Sequence, residues 1–268
     1  MFKATINVEN EKYFQAIWKL LPSISLEAEF NVSDNGIIIR AIDPARVAMV
    51  AIELNKNFFE TLSCDSNITF MSDVLHVGKL IKSRGEKINI YGDINNLTIE
   101  HVAKEYKRSF KSINLSGITG TYPSLNLERD ASFTIKSDFF RGILDDATPV
   151  SDSFYFSSDG KKLNIESEGE LSEMKQEIEQ GSILQGFKSK GTIGRAEYFH
   201  EYIKSLLNAL DTAIEDVKIL VTEGMPLILV MESKDKNNAT MLKVTGMFGP
   251  KPWVMNYVYK KKMAFKRH

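Results

Sequence analysis

The sequence predicts an α+β protein of two similar domains, each with antiparallel sheets and two helices on one face. Three observations carry this. Segments that alternate apolar and polar residues at a period of two far outnumber those with helical spacing. The helical segments are short and amphipathic, each with one apolar stripe, as a helix packed on a sheet requires. The order of elements in the first half also recurs in the second, so that Phe14-Gln15-Ala16-Ile17 overlays Phe140-Arg141-Gly142-Ile143 and Ile81-Lys82-Ser83 overlays Ile203-Lys204-Ser205.

In the first half, Phe2 to Val8 alternates as a half-buried strand, and Asn10 is placed to cap the helix that follows. Phe14, Ile17, Trp18 and Leu21 form its stripe, Lys12, Gln15 and Lys19 its other side, and Pro22 its end. Ile37 to Leu54 reads as strand, turn and strand, because Asp43-Pro44 interrupts two runs of branched apolar residues. Asn67 to Phe70 is a short strand. Ser72 then caps a second helix, whose packed face is Val74, Leu75, Gly78, Leu80 and Ile81 and which Gly85 stops. Lys87 to Tyr91 and Leu97 to Val102 make a hairpin, and Lys107 to Leu115 is the closing strand.

Ser116 to Ser124 holds glycine, proline and small polar residues without periodicity and reads as a linker or exposed loop. Ala131 to Lys136 is the next strand, and Ser137 caps a helix that buries Phe139, Phe140, Ile143 and Leu144. Phe154-Tyr155-Phe156 leads into an Asp159-Gly160 hairpin, followed by strands at Leu163 to Glu168 and Met174 to Gln180. Arg195 to Leu210 has the spacing of a fourth helix, with Tyr198, Tyr202, Ile203, Leu206 and Leu210 on one side. Val217 to Thr222, Leu227 to Glu232 and Met241 to Thr245 complete the pattern.

Composition narrows the function classes. A chain of 268 residues that is 43% apolar can bury one large core or two smaller ones. No apolar run approaches the roughly 20 residues of a membrane span, and Lys3, Asn7 and Glu9 break any secretory pattern at the start. The single cysteine, Cys64, excludes an intramolecular disulfide and a cysteine-based zinc site, so an intracellular protein with no metal or cofactor is expected. A net charge of -1 argues against a uniformly basic nucleic-acid binder, although 34 basic and 35 acidic residues on separate surfaces still attract phosphate locally. His76, His101, His200 and His268 lack metal spacing, and there is neither a glycine-rich phosphate loop nor a nucleophile elbow. Asp145-Asp146 and Glu166/Glu168 are paired carboxylates of a kind common on solvated faces, so catalysis is not expected.

The wording of the turn segment is more specific than its pattern. Arg40-Ala41-Ile42-Asp43-Pro44-Ala45-Arg46-Val47 resembles the Arg-Ala-Ile-Asp-Pro-Ala-Arg-Val segment of archaeal sliding clamps, the family of proliferating cell nuclear antigen (PCNA). Glu27-Ala28-Glu29-Phe30 and Ser33-Asp34-Asn35-Gly36 precede it as in that family. Val150-Ser151-Asp152-Ser153, Gly169-Glu170 and Gly224-Met225-Pro226-Leu227 match downstream. The resemblance runs from Phe2 to about Lys243.

The resemblance implies the DNA clamp fold: domains at 1–115 and 128–246, a connector at 116–127, a divergent tail at 247–268, and assembly of three subunits into a ring. It implies a processivity factor that encircles double-stranded DNA without reading sequence. The helix face carrying Lys12, Lys19, Lys79, Lys82, Arg84, Arg141 and Lys204 would meet the DNA. Asp145 and Asp146 stand near positions that are often basic, and Asn208 replaces a common lysine. DNA polymerase, flap endonuclease and DNA ligase would dock short motifs in a pocket of Ile42, Val47, Met49, Tyr122, Pro123, Leu125 and Pro226, and a clamp loader would open the ring. Ring closure would pair Lys107 to Ile113 with Glu173 to Gln180, Arg108 and Lys111 facing Glu173, Glu177 and Glu179, with Phe110, Met174 and Ile178 also in the interface.

The family's Ala-Pro-Arg or Ala-Pro-Lys strand end is replaced by Met247-Phe248-Gly249-Pro250-Lys251-Pro252-Trp253 and then by Tyr257, Tyr259 and Lys260-Lys261-Lys262. Such a protein is cytoplasmic and nucleoid-associated in an archaeon and nuclear in a eukaryote, and touches no membrane. A subunit of a heterotrimeric or checkpoint-type clamp, an interaction module that binds no DNA, and a hydrolase of unknown substrate are the alternative readings.

Overall fold

The computed structural model describes residues 1–82, 84–115, 122, 129–159, 162–211 and 214–250 of the chain. Most of the linker at 116–124, Leu125, Gly160 of the expected hairpin and the tail from Lys251 lie outside the described residues. The chain separates into two compact units, the first from residues 1–42, 50–124 and 232–244, the second from 43–49, 125–231 and 245 onward. Among the described residues no helix is long and apolar enough to cross a membrane.

Up to residue 113 the elements are β1 (Phe2–Ile6), α1 (Val8–Ile24), β2 (Glu27–Ser33), β3 (Gly36–Ile42), β4 (Ala48–Asn55), a short 3-10 turn (Lys56–Phe58), β5 (Thr61–Cys64), β6 (Ile68–Asp73), α2 (Val74–Leu80), β7 (Lys87–Gly92), β8 (Asn96–Val102) and β9 (Lys107–Ile113). Antiparallel pairing gives a sheet in the order β5-β1-β7-β8-β9, and β2 lies between β3 and β6. The core of this unit is aromatic. Phe30 stacks between Trp18 and Phe70, with ring centroids 5.7 and 5.2 Å away.

Several boundaries differ from the sequence expectation, each for a local reason. Asn7 rather than Asn10 caps α1, accepting from Asn10 N at 2.9 Å, while the buried Asn10 amide donates to Phe58 O at 2.8 Å. Pro22 lies inside α1, which runs to Ile24. Proline has no N–H for Trp18 O, and Gly78 of α2 packs there so closely that a Cβ would stand 3.1 Å from that oxygen. Asp73 caps α2, accepting from His76 N at 2.8 Å, and Ser72 is buried. Leu75 is 40% exposed, Val74, Val77 and Ile81 form the packed face, and the helix ends at Leu80, short of Gly85.

The following elements are β10 (Ala131–Lys136), α3 (Ser137–Ala147), β11 (Ser153–Ser158), β12 (Lys162–Glu168), β13 (Glu173–Glu179), β14 (Leu184–Ser189), β15 (Ile193–Phe199), α4 (Glu201–Leu210), β16 (Asp216–Val221), β17 (Leu227–Lys234) and β18 (Thr240–Phe248). In the second unit β13-β12-β11-β15 form one sheet, and β14-β10-β16-β17 run side by side in another. Phe133, Phe140, Phe154, Phe156 and Tyr198 fill the core, the rings of Phe154 and Phe156 meeting edge to face at 5.3 Å. Ser137 does not act as a cap: it is the first residue of α3, and its N–H donates to Glu215 O at 2.7 Å. Arg195 to Phe199 is strand rather than helix. Tyr198 and Ala196 lie opposite Phe154 and Phe156 of β11, and the buried Tyr198 hydroxyl donates to Met225 O at 3.0 Å.

Candidate functional site

The turn at Asp43 organises one surface of the second unit. Its carbonyl accepts from Arg46 N at 2.8 Å, Pro44 supplies a preset φ, and Arg46 takes a left-handed φ of 58°. The buried Asp43 carboxylate accepts from Ala45 N, Val47 N and Ala48 N at 2.9, 2.7 and 2.6 Å. Burial, followed by the charge of this carboxylate, pushes the phenol of Tyr202 on α4 up from its ordinary value.

Beside this turn lies a cavity of about 600 Å³. Ala45 and Val47 of the turn, Thr148 and Asp152 beyond α3, Phe199 to Tyr202 with Lys204, and Phe248 and Gly249 line it. Gly249 N donates to Val47 O at 2.7 Å, so the divergent strand end itself supplies a wall. His200 Nε2 lies 2.8 Å from Ser151 O, an acceptor, so in the neutral ring Nε2 carries the proton. The buried Nδ1 makes no hydrogen bond among the described residues.

Of the expected pocket residues, Val47 lines this cavity, whereas Met49 and Pro226 are buried and do not. Ile42 and Tyr122 belong to the first unit. There the Tyr122 hydroxyl donates to Arg40 O at 3.3 Å, and burial with the Glu29 charge pushes its phenol up to about 12. Pro123 and Leu125 lie outside the described residues. The sequence reading misses Phe199 to Tyr202 because it carries one helix through a strand-to-helix junction; the only signal for the break is the apolar-polar-apolar alternation of Ala196, Glu197 and Tyr198 before it.

The two helix pairs differ in charge. In the first unit Lys12, Lys19, Lys79, Lys82 and Arg84 are exposed, and among the described residues no ion pair involves these four lysines. Lys12 Nζ stands 5.0 Å from the Tyr13 ring. In the second unit Arg141 pairs with Asp211, and Lys204 lies 2.6 Å from Asp145 and donates to Thr148 Oγ1 at 2.8 Å. Asp146 and Glu201 stay exposed without an ion pair among the described residues, so this helix layer is acidic on balance.

β9 and β13 are outer strands of their sheets. Lys107, Ser109, Lys111 and Ile113 point outward from β9, and Glu173, Lys175, Glu177 and Glu179 from β13. Phe110 and Met174 are half-buried and Ile178 is buried. Contrary to expectation, Arg108 turns inward, where its guanidinium bonds the buried Glu86 carboxylate.

Glu11, Glu86 and His101 are the one group of described residues whose donor atoms cluster within 4.8 Å. Their chemistry fits a guanidinium better than a metal ion. The Glu86 oxygens are held by Tyr106 and Arg108, and those of Glu11 by Arg84 N and Gly85 N at 3.1 and 2.9 Å. Arg108 already brings the positive charge, and a divalent ion would leave the buried group positive.

The model of the PCNA N-terminal domain matches residues 1–114. The DNA polymerase sliding clamp of Thermoplasma volcanium is 30% identical over 253 residues, 92% of this chain and 97% of that one. The sliding clamp of Methanopyrus kandleri is 26% identical over 228 residues, 82% of this chain and 88% of that one. Among solved structures, PCNA from Thermococcus kodakaraensis has a TM-score of 0.81 at 26% identity, covering 94% of this chain and 100% of its own. The fold is shared also with A. fulgidus PCNA bound to the C-terminal region of FEN-1, at a TM-score of 0.80 and 21% identity over 94% of this chain and 98% of that one. The chain belongs to the PCNA family of DNA polymerase sliding clamps.

Proposed function

We propose that this DNA sliding clamp closes with two further copies into a ring around duplex DNA and tethers polymerase and flap endonuclease through the cavity beside the Asp43 turn. The observation that carries the DNA contact is the set of lysines on α1, on α2 and just after it that are exposed and have no ion pair among the described residues: Lys12, Lys19, Lys79 and Lys82. Cations free of local carboxylates attract phosphate without demanding a base sequence, which suits a part that slides. Arg141 and Lys204 are neutralised nearby and contribute less.

For the partner site, an apolar cavity with a few polar groups fits an aliphatic plug and aromatic side chains from a short peptide. The clamp of A. fulgidus binds the C-terminal region of FEN-1; the same use is proposed here, with Val47, Phe199, Tyr202 and Phe248 as the apolar contacts. For ring closure, the outward lysines of β9 complement the outward glutamates of β13 in a second copy, a head-to-tail arrangement. No group in the chain is assigned a catalytic role.

Light scattering on the purified chain over a concentration series tests the ring, and a mass of three subunits is expected. A monomer at every concentration would instead point to sister chains. Primer extension then tests the DNA contact. Lys79→Ala with Lys82→Ala is expected to shorten the products of clamp-dependent synthesis, and unchanged product lengths at moderate salt would remove these lysines from the DNA site.

A further inference from the structure

We infer that Glu86 anchors the edge strand β9 in the position from which it pairs with a second copy of the chain; the inference rests on reading β9 as the self-association edge. An edge strand is hydrogen-bonded along one side only. β9 pairs with β8 from Val102↔Lys107 to Asn96↔Ile113, and none of its seven residues is buried. Apolar burial therefore does little to hold it, which leaves the ladder to β8 and its polar side-chain contacts.

Two side chains at the start of β9 reach inward to the same carboxylate. The Tyr106 hydroxyl donates to Glu86 Oε1 and the Arg108 guanidinium to Oε2. Glu86, 2% exposed, sits just before β7, two strands away from β9 in the sheet. His101 lies opposite Arg108 on β8, with Nδ1 3.2 Å from Glu86 Oε2 and its ring edge-on to Phe110 of β9 at 6.0 Å. Glu11 of α1 accepts from Arg84 N and Gly85 N, which fixes the segment that delivers Glu86.

On the opposite face, Lys107 pairs with Glu100 at 2.7 Å, but Lys107 is exposed and such a pair is weakened by salt. The Glu86 contacts are buried and are screened far less. One carboxylate holding two donors from the turn and the strand fixes where β9 begins and how its pleat is oriented. Strand addition needs that row of free N–H and C=O groups already in place, because ordering it during association costs affinity.

The test compares wild type with Arg108→Met, Tyr106→Phe, Glu86→Gln and Arg108→Lys, reading association by light scattering and β9 amide protection by hydrogen exchange. Tyr106 is 46% exposed and Arg108 is partly exposed, so their variants test the contact even if Glu86→Gln unfolds. Arg108→Met is expected to raise the dissociation constant at least about tenfold and to speed exchange of β9 amides while β7 stays protected. Arg108→Lys, which keeps a cation for Glu86, should lie within about threefold of wild type. Assembly of Arg108→Met and Tyr106→Phe at wild-type concentrations overturns the anchor. A wild-type chain that stays monomeric overturns the edge reading, and the inference with it.

Discussion

Lys204 Nζ lies 2.6 Å from Asp145 Oδ1, so the cation that α4 would offer to DNA is neutralised within the second unit. Lys79 and Lys82 have no such partner among the described residues. Lys204→Ala should therefore leave affinity for linear duplex within about twofold, whereas Lys79→Ala with Lys82→Ala should lower it and flatten the plot of log affinity against log salt by about 2 units of slope. Fluorescence anisotropy between low and moderate salt reads both. Equal losses from the two changes would mean that the Asp145 pair opens when DNA arrives.

Asp43→Ala removes the acceptor of three backbone N–H groups at a site that is 1% exposed. Charged acceptors of this kind contribute more than neutral ones, and the stranded N–H groups add their own cost, so a loss of about 3 kcal/mol in urea unfolding is expected. Asp43→Asn keeps an oxygen acceptor and should lose roughly half as much. If both variants unfold at the wild-type midpoint, the turn is held by its main chain alone.

Most strands of both halves are legible because alternation reports a half-buried sheet directly, and the Asp43 turn because proline and the preceding acid specify it locally; β2, β5 and β14 are not read from the sequence, and most of β15 reads as helix. The missed details depend on tertiary partners. Asn7 and Asn10 are both competent caps, and Phe58 O decides between them by engaging the Asn10 side chain. Tyr198 belongs to a strand because Phe154 faces it across the sheet, although its spacing to Tyr202 also suits a helix. The positions of the basic residues can be read, but not that Asp211 and Asp145 lie beside Arg141 and Lys204. The cavity escapes for the same reason, since the chain near residues 45, 150, 200 and 248 has to meet there.

Gly36 and Gly85 both adopt positive φ, at 151° and 72°, but their surroundings differ. A Cβ on Gly36 would fall 2.2 Å from Leu54 O, a main-chain atom that cannot swing aside, while nothing lies within 4 Å of one on Gly85. Gly36→Ala should lower unfolding free energy by more than about 2 kcal/mol, since left-handed strain and collision add. Gly85→Asn should cost less than about 1 kcal/mol, because asparagine tolerates the left-handed region. Thermal melts of the two variants give the comparison, and similar melting temperatures would refute it.

The cluster under β9 makes stability depend on pH in two separate windows. Burial lowers the pKa of His101 and the Arg108 charge adds to this, against the opposing charges of Glu86 and Glu11. For Glu86 burial acts upward, but hydrogen bonds from Tyr106 and Arg108 and the charges of Arg108 and His101 prevail and hold the carboxyl below its usual range. A group with a lowered folded pKa binds its proton first in the unfolded chain, so its stabilisation is complete above the unfolded value and is lost as pH falls. The His101 contribution thus declines below the ordinary value of 6.5, and the Glu86 contribution only below 4.5. His101→Gln should flatten urea midpoints as pH falls below 6.5 while leaving the descent below 4.5, and Glu86→Gln should remove much of that later descent. Wild type and His101→Gln falling in parallel through the first window would show that other groups control it.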